Sequence, residues 1–104
     1  MYTMPNRLDL HERLCEVLGS RNVYFQPPES VKLVYPAIVY ELSNINNRYA
    51  NDGVYIQADS YTVTYISKSP DDEIIRALSK LPTCRFDRGF VSNNLYHKVF
   101  TLYY

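Results

Sequence analysis

Residues 37–67 read AIVYELSNINNRYANDGVYIQADSYTVTYIS, and the fold turns on how this stretch divides. The run AIVYEL, 37–42, is rich in β-branched and aromatic residues. Its Ala37, Val39 and Glu41 alternate with Ile38, Tyr40 and Leu42, the period of a strand. Segment 43–53 carries four Asn, one Asp and one Gly, which tolerate turn geometry through local side-chain bonds or, for Gly, through the missing Cβ. It reads as a long hairpin loop. Residues 54–67 return as the second arm. Their apolar parity changes from Val54, Ile56 and Ala58 to Tyr61, Val63 and Tyr65, so a β-bulge is expected near Asp59 and Ser60.

Working outward, Leu10, Leu14, Val17 and Leu18 share a helical face and predict an amphipathic helix over roughly 8–18. Asp9 and Glu12 have the spacing of a capping box, and Gly19 stands where a left-handed C-terminal residue is wanted. Residues 20–35 lose periodicity, and Pro27 and Pro28 disfavour both helix and central strand, so this is a surface connector. Downstream, Ser69, Pro70, Asp71 and Asp72 start a second helix whose buried stripe is Ile74, Ile75, Leu78 and Leu81, with Pro82 as its stop. Asp72 and Arg76 are spaced for a surface ion pair. Residues 83–91 and 95–104 read as two strands joined at Ser92, Asn93 and Asn94. The order α-β-β-α-β-β predicts a single α+β domain over 1–104. It has one mainly antiparallel four-stranded sheet with two helices on one face.

The composition excludes several classes of function. Eleven Lys plus Arg balance eleven Asp plus Glu, so no overall field draws the chain to nucleic acid or an anionic membrane. There is no signal-peptide core and no run approaching the roughly 20 apolar residues that span a bilayer, which reads as a soluble intracellular chain. Cys15 and Cys84 are far apart and lack metal-ligand or redox spacing, and Gly19, Gly53 and Gly89 stand alone rather than in a phosphate loop. No metal or cofactor is expected. Neither His11 nor His97 has a carboxylate or thiol at a spacing that builds a catalytic pair, so the chain does not read as an enzyme. Asp71 and Asp72 suit a helix start, and Arg85, Asp87 and Arg88 suit an alternating charged strand face.

The end of the chain looks adhesive. Leu95, Val99 and Tyr103 alternate with Tyr96, Phe100, Leu102 and Tyr104, which puts large apolar groups on both faces of a sheet that helices cover on one side only. Leaving several such groups exposed forgoes several kcal/mol at about 25 cal/mol per Å², so a partner surface is expected. Tyr96, Phe100, Leu102 and Tyr104 are therefore candidate contacts. In the Asn-rich segment, Arg48 and Tyr49 with Asn46 and Asn47 are the others, because neither helix nor strand preference accounts for an aromatic at a polar loop tip. Eleven Tyr without a Trp suit either wet protein interfaces or strand propensity. A different reading, a small nucleic-acid-binding module, would stack bases on an aromatic sheet face.

At YPAIVYEL (35–42), SPDDEIIRALSKL (69–81) and FDRGFVSNNLYHKVFTLYY (86–104) the chain resembles the small neck and tail-completion proteins of long-tailed bacteriophages, the tail-terminator group. The resemblance runs from about Tyr35 to Tyr104. It implies a structural virion protein of the tail or neck, a tail terminator or alternatively another minor capsid or neck component, assembled in the host cytoplasm without catalysis. Such a subunit forms a ring, usually a hexamer, at the head-proximal end of the tail tube. The implied partners are further copies of the chain, the tail-tube protein and the head connector or stopper protein. Non-specific contact with DNA in the lumen is implied as well, and no membrane contact. A ring needs two different adhesive surfaces per chain, and the terminal hairpin and the 43–53 segment are the ones on offer.

Overall fold

The computed structural model describes residues 7–49 and 55–104, with side chains at all of these except 44–49 and 55–58. The elements are α1 (Arg7–Leu18), β1 (Val23–Phe25), β2 (Ala37–Tyr49), β3 (Tyr55–Ser67), α2 (Glu73–Ser79), β4 (Cys84–Ser92) and β5 (Leu95–Tyr103). The strands form one sheet in the order β1-β2-β3-β5-β4.

The α+β class holds, and the sheet differs from the expected four antiparallel strands. A fifth strand, β1, lies inside the segment read as connector and runs parallel to β2, from Val23↔Ile38 to Phe25↔Tyr40. The sheet is therefore mixed. Three residues are too few to display a period, and Pro27 and Pro28 follow almost at once. What makes the strand is the open side of β2: the Ile38 N–H donates to the Asn22 carbonyl and the Gln26 N–H to the Tyr40 carbonyl, each at 3.0 Å.

α1 buries Leu10, Leu14, Cys15 and Leu18, close to the stripe its sequence predicts. Gly19 takes φ +78°, and its N–H closes the helix on the Cys15 carbonyl at 2.8 Å. The expected capping box does not form, because α1 begins at Arg7 and Asp9 falls inside its first turn. Glu12 instead takes a two-pronged hydrogen bond from Arg21, at 2.8 and 3.0 Å.

α2 is shorter than the apolar stripe suggests. Its cap is Asp72, whose Oδ1 accepts from the N–H groups of Ile74 and Ile75 at 2.9 and 3.2 Å, while Ser69 turns its hydroxyl to the Asp71 carbonyl. With Asp72 so engaged, Arg76 pairs with Asp71 rather than Asp72, at 3.5 Å on the surface.

Both helices pack on one face of the sheet. Leu10, Leu14 and Leu78 join a single buried cluster with Ile38, Tyr40, Tyr61, Val63, Tyr65, Phe100 and Leu102. The ladder pairs Tyr40↔Val63, Val63↔Phe100 and Tyr61↔Leu102 place those strand residues side by side. The opposite face is partly roofed by the connector after β1. Pro27, Val31 and Leu33 face Val39, Thr64 and Ile66 across a shallow groove. Ile66 and Val99 are buried on this side. The β4–β5 turn has φ of 53° at Asn93 and 63° at Asn94, the pair of left-handed residues a two-residue hairpin requires.

Asp72 ties α2 to the core as well as capping it, since the buried Tyr65 hydroxyl donates to its Oδ2 at 2.6 Å. Burial, followed by this bond, pushes the Tyr65 phenol up to about 12. Chemical denaturation should find Asp72→Ala less stable by about 1–2 kcal/mol, as for a lost N-cap. Tyr65→Phe should lose about 1 kcal/mol through the single hydrogen bond. The two losses should add to less than their sum, because both remove the same bond.

Candidate functional site

β2 and β3 are each 13 residues long and pair antiparallel from Ala37↔Ile66 to Tyr49↔Tyr55. Their neighbours are shorter. β1 ends opposite Tyr40, and β5 ends where Tyr103 meets Ser60. Beyond those points the ladder continues through Ile45↔Asp59, Asn46↔Ala58, Asn47↔Gln57, Arg48↔Ile56 and Tyr49↔Tyr55. Among the described residues no other strand joins it there. This two-stranded ribbon extends about 17 Å at 3.3 Å per residue.

The segment expected to be a loop over 43–53 is thus strand as far as Tyr49. Asn, Arg and Ser have little strand preference, but the long β3 lies opposite and offers every residue from Asn44 to Tyr49 a ladder partner, and pairing overrides propensity. Asn46, Asn47, Arg48 and Tyr49 all lie in the ribbon; their side chains fall outside the described residues. The bulge also moves. It sits in β2 at Ser43, between the pairs of Leu42 and Asn44, rather than in β3. The Ser43 hydroxyl donates to the Ser60 carbonyl at 2.9 Å and fixes the extra residue.

The base of the ribbon is anchored. Asp59 and Tyr104 exchange backbone hydrogen bonds, the Tyr104 N–H to the Asp59 carbonyl at 2.9 Å and the Asp59 N–H to the Tyr104 carbonyl at 3.3 Å. Tyr104 is half-buried against the core. The ribbon makes the chain long: principal extents are 51 × 24 × 22 Å and the Cα radius of gyration is 15.0 Å. A compact domain of this length has a radius of about 13 Å.

The second feature is the far edge of the sheet. β4 is nine residues long, pairs among the described residues only with β5, and is exposed from Arg85 to Ser92. Phe86, Phe90 and Val91 stand 48, 45 and 63 % exposed. Phe86 meets Phe100 edge-on at 5.5 Å, and Phe90 stacks flat on His97 at 4.7 Å. Asp87 is the bulged residue and receives the neighbouring Arg88 at 2.9 Å.

The terminal strand is less adhesive than its alternation suggests. Phe100 and Leu102 are core residues beneath the helices, and Tyr96 is half-buried. The expectation that both faces of this strand exceed what the chain can cover fails because the connector roofs part of the second face, where Val99 is buried. The exposed apolar groups belong to β4 instead. Sequence reading passed over Phe86, Phe90 and Val91, whose signal was their place on the last strand to join the sheet. The tyrosines behave similarly: Tyr40, Tyr61 and Tyr65 are buried and offer no stacking platform.

The polar groups that converge lie under α1. The Arg7 guanidinium donates to the Tyr40 hydroxyl at 3.2 Å and sits 4.3 Å above the Phe25 ring, and His11 Nδ1 lies 2.8 Å from the same hydroxyl. With Arg7 donating, the Tyr40 proton goes to His11, which must be neutral to accept it. Burial and then the nearby Arg21 and Arg7 charges hold His11 below its ordinary value. Among the described residues no three His, Cys, Asp or Glu stand together as a metal site, both cysteines are free, and no helix is long and apolar enough to cross a membrane. Burial pushes the Cys84 thiol up to about 11.

Comparison with known proteins adds no relative. No protein-family profile, no curated protein and no solved structure matches the chain.

The His11 network gives a signed pH dependence. The unfolded chain protonates His11 near 6.5 and the folded chain only at lower pH, so this contribution is complete above 6.5 and is lost as pH falls toward the folded value. The melting temperature should therefore fall between pH 7 and pH 5, and His11→Gln should fall less over that window. An identical slope in the two proteins would remove His11 from the account.

Proposed function

We propose that this protein is a structural assembly subunit of a long-tailed bacteriophage, of the tail-terminator or head-tail joining type. It forms a ring at the head-proximal end of the tail tube, of six copies as in that group, and meets the head connector on its other side. The observation that supports this most is the surplus surface of the single chain. Its accessible area is 7197 Å². A compact 12.2 kDa monomer exposes about 6,100 Å². The excess of roughly 1,100 Å² exceeds the ~800 Å² that each partner buries in a standard interface.

Two separate features lie outside the packed body, the ribbon extending from β2 and β3 and the β4 edge of the sheet. Two unlike surfaces on one chain are what a heterologous, ring-closing interface requires. An isolated two-stranded hairpin is marginal in water, so the ribbon gains stability by lying against a neighbour. The reading involves no catalysis and no cofactor. Contact with DNA in the lumen would be weak and non-specific, in keeping with zero formal charge.

Light scattering of the purified protein, alone and with tail-tube protein, tests the proposal. A discrete ring, or one that forms when tube protein is added, is expected. A strict monomer at high concentration that ignores tube protein would contradict it. Replacing Arg48 and Tyr49 together by Ala should impair assembly with the melting temperature nearly unchanged.

A further inference from the structure

We infer that the outer edge of β2 in the ribbon, residues 43–49, adds as a strand to the free edge of β4 in a second copy of this chain. The inference rests on the assembly reading above and names the surfaces that meet. It starts from backbone accounting. In β2, the side that β1 occupies up to Tyr40 carries one further bond, from the Leu42 N–H to the Gln26 side chain at 3.1 Å. From Ser43 to Tyr49 no described strand continues that side. β4 presents a nine-residue edge whose inner side is taken by β5 and whose outer side no described strand covers. An open edge satisfies its N–H and C=O groups with water, or with another strand.

Two observations choose a second copy's ribbon as the occupant. The lengths agree, since the seven residues 43–49 fit within the nine residues of β4. The area agrees, because the excess surface of one chain is already interface-sized. Pairing of β4 with itself about a two-fold would leave the ribbon uncovered and stop at a dimer. Ribbon-on-edge pairing gives each chain one donor and one acceptor surface, so it propagates until a ring closes.

A complementation experiment tests this. One variant lacks the ribbon, with Ile45 joined to Asp59 by an Asn-Gly turn so that their ladder pair is kept, and keeps β4 intact. The other, Phe90→Lys with Val91→Lys, keeps the ribbon and blocks the edge with charge. Both should retain the parental far-ultraviolet circular dichroism, because the ribbon ends before the core and both substituted side chains are exposed. Each alone should weaken self-association at least tenfold in sedimentation velocity. Mixed, they should form a 1:1 heterodimer, since one supplies the socket and the other the strand. A ring that survives both changes would overturn strand addition while leaving the assembly reading intact. Association lost in the edge variant but kept in the ribbon-less one would point to β4 self-pairing and overturn it too. A parent chain that never associates, with or without tube protein, would overturn both readings.

Discussion

The structure depends on one inequality of length: the β2–β3 ladder is longer than the strands on either side of it. Within the sheet body every strand has a neighbour, and the helices and the connector cover much of both faces. Past Tyr40 on one side and Ser60 on the other the neighbours stop, and two strands carry on alone. A sheet that ended with its core would give a compact monomer. This one instead sends a ribbon outward from a core that is already complete, and leaves the outer edge of β4 without a described strand beside it. Hydrophobic burial explains the body of the molecule and hydrogen-bond accounting explains what extends from it.

Much of the body was legible in the sequence, and the reasons are local. Leu10, Leu14 and Leu18 repeat at helical spacing, Gly19 supplies the left-handed stop, and Asn93 and Asn94 supply the two left-handed residues of the terminal turn. The failures share a cause as well, since each concerns a residue whose state is set by a distant partner. β1 exists because β2 has an open side. Segment 43–49 is strand because β3 lies opposite it, against the turn preference of its own asparagines. Phe100 and Leu102 looked exposed because alternation says which residues share a face, without saying how a proline-rich connector disposes of the other one. The candidate site was legible only in outline: the segment containing Asn46 to Tyr49 was singled out as a loop and is instead strand in a ribbon, and the exposed apolar groups of β4 were missed.

The proposed ring role draws on the same economy of pairing. A subunit whose core needed a neighbour would not persist before assembly. Here the core is closed by the single chain, and what remains open is backbone edge with a few apolar side chains at 45–63 % exposure along β4. Such surfaces favour docking of preformed subunits over folding on contact. The bulge at Asp87 and the charges of Arg85 and Arg88 break up the open edge, as edge strands do when indiscriminate pairing must be avoided. Together they suit an edge reserved for one register.

Amide hydrogen exchange across 43–49, followed by mass spectrometry as a function of protein concentration, tests the central claim most directly. If the ribbon is open in the single chain and paired on association, its amides exchange quickly in dilute solution and become protected at concentrations where the sedimentation coefficient rises. Protection of this segment that stays the same across the whole range, while the sedimentation coefficient climbs, would contradict the account.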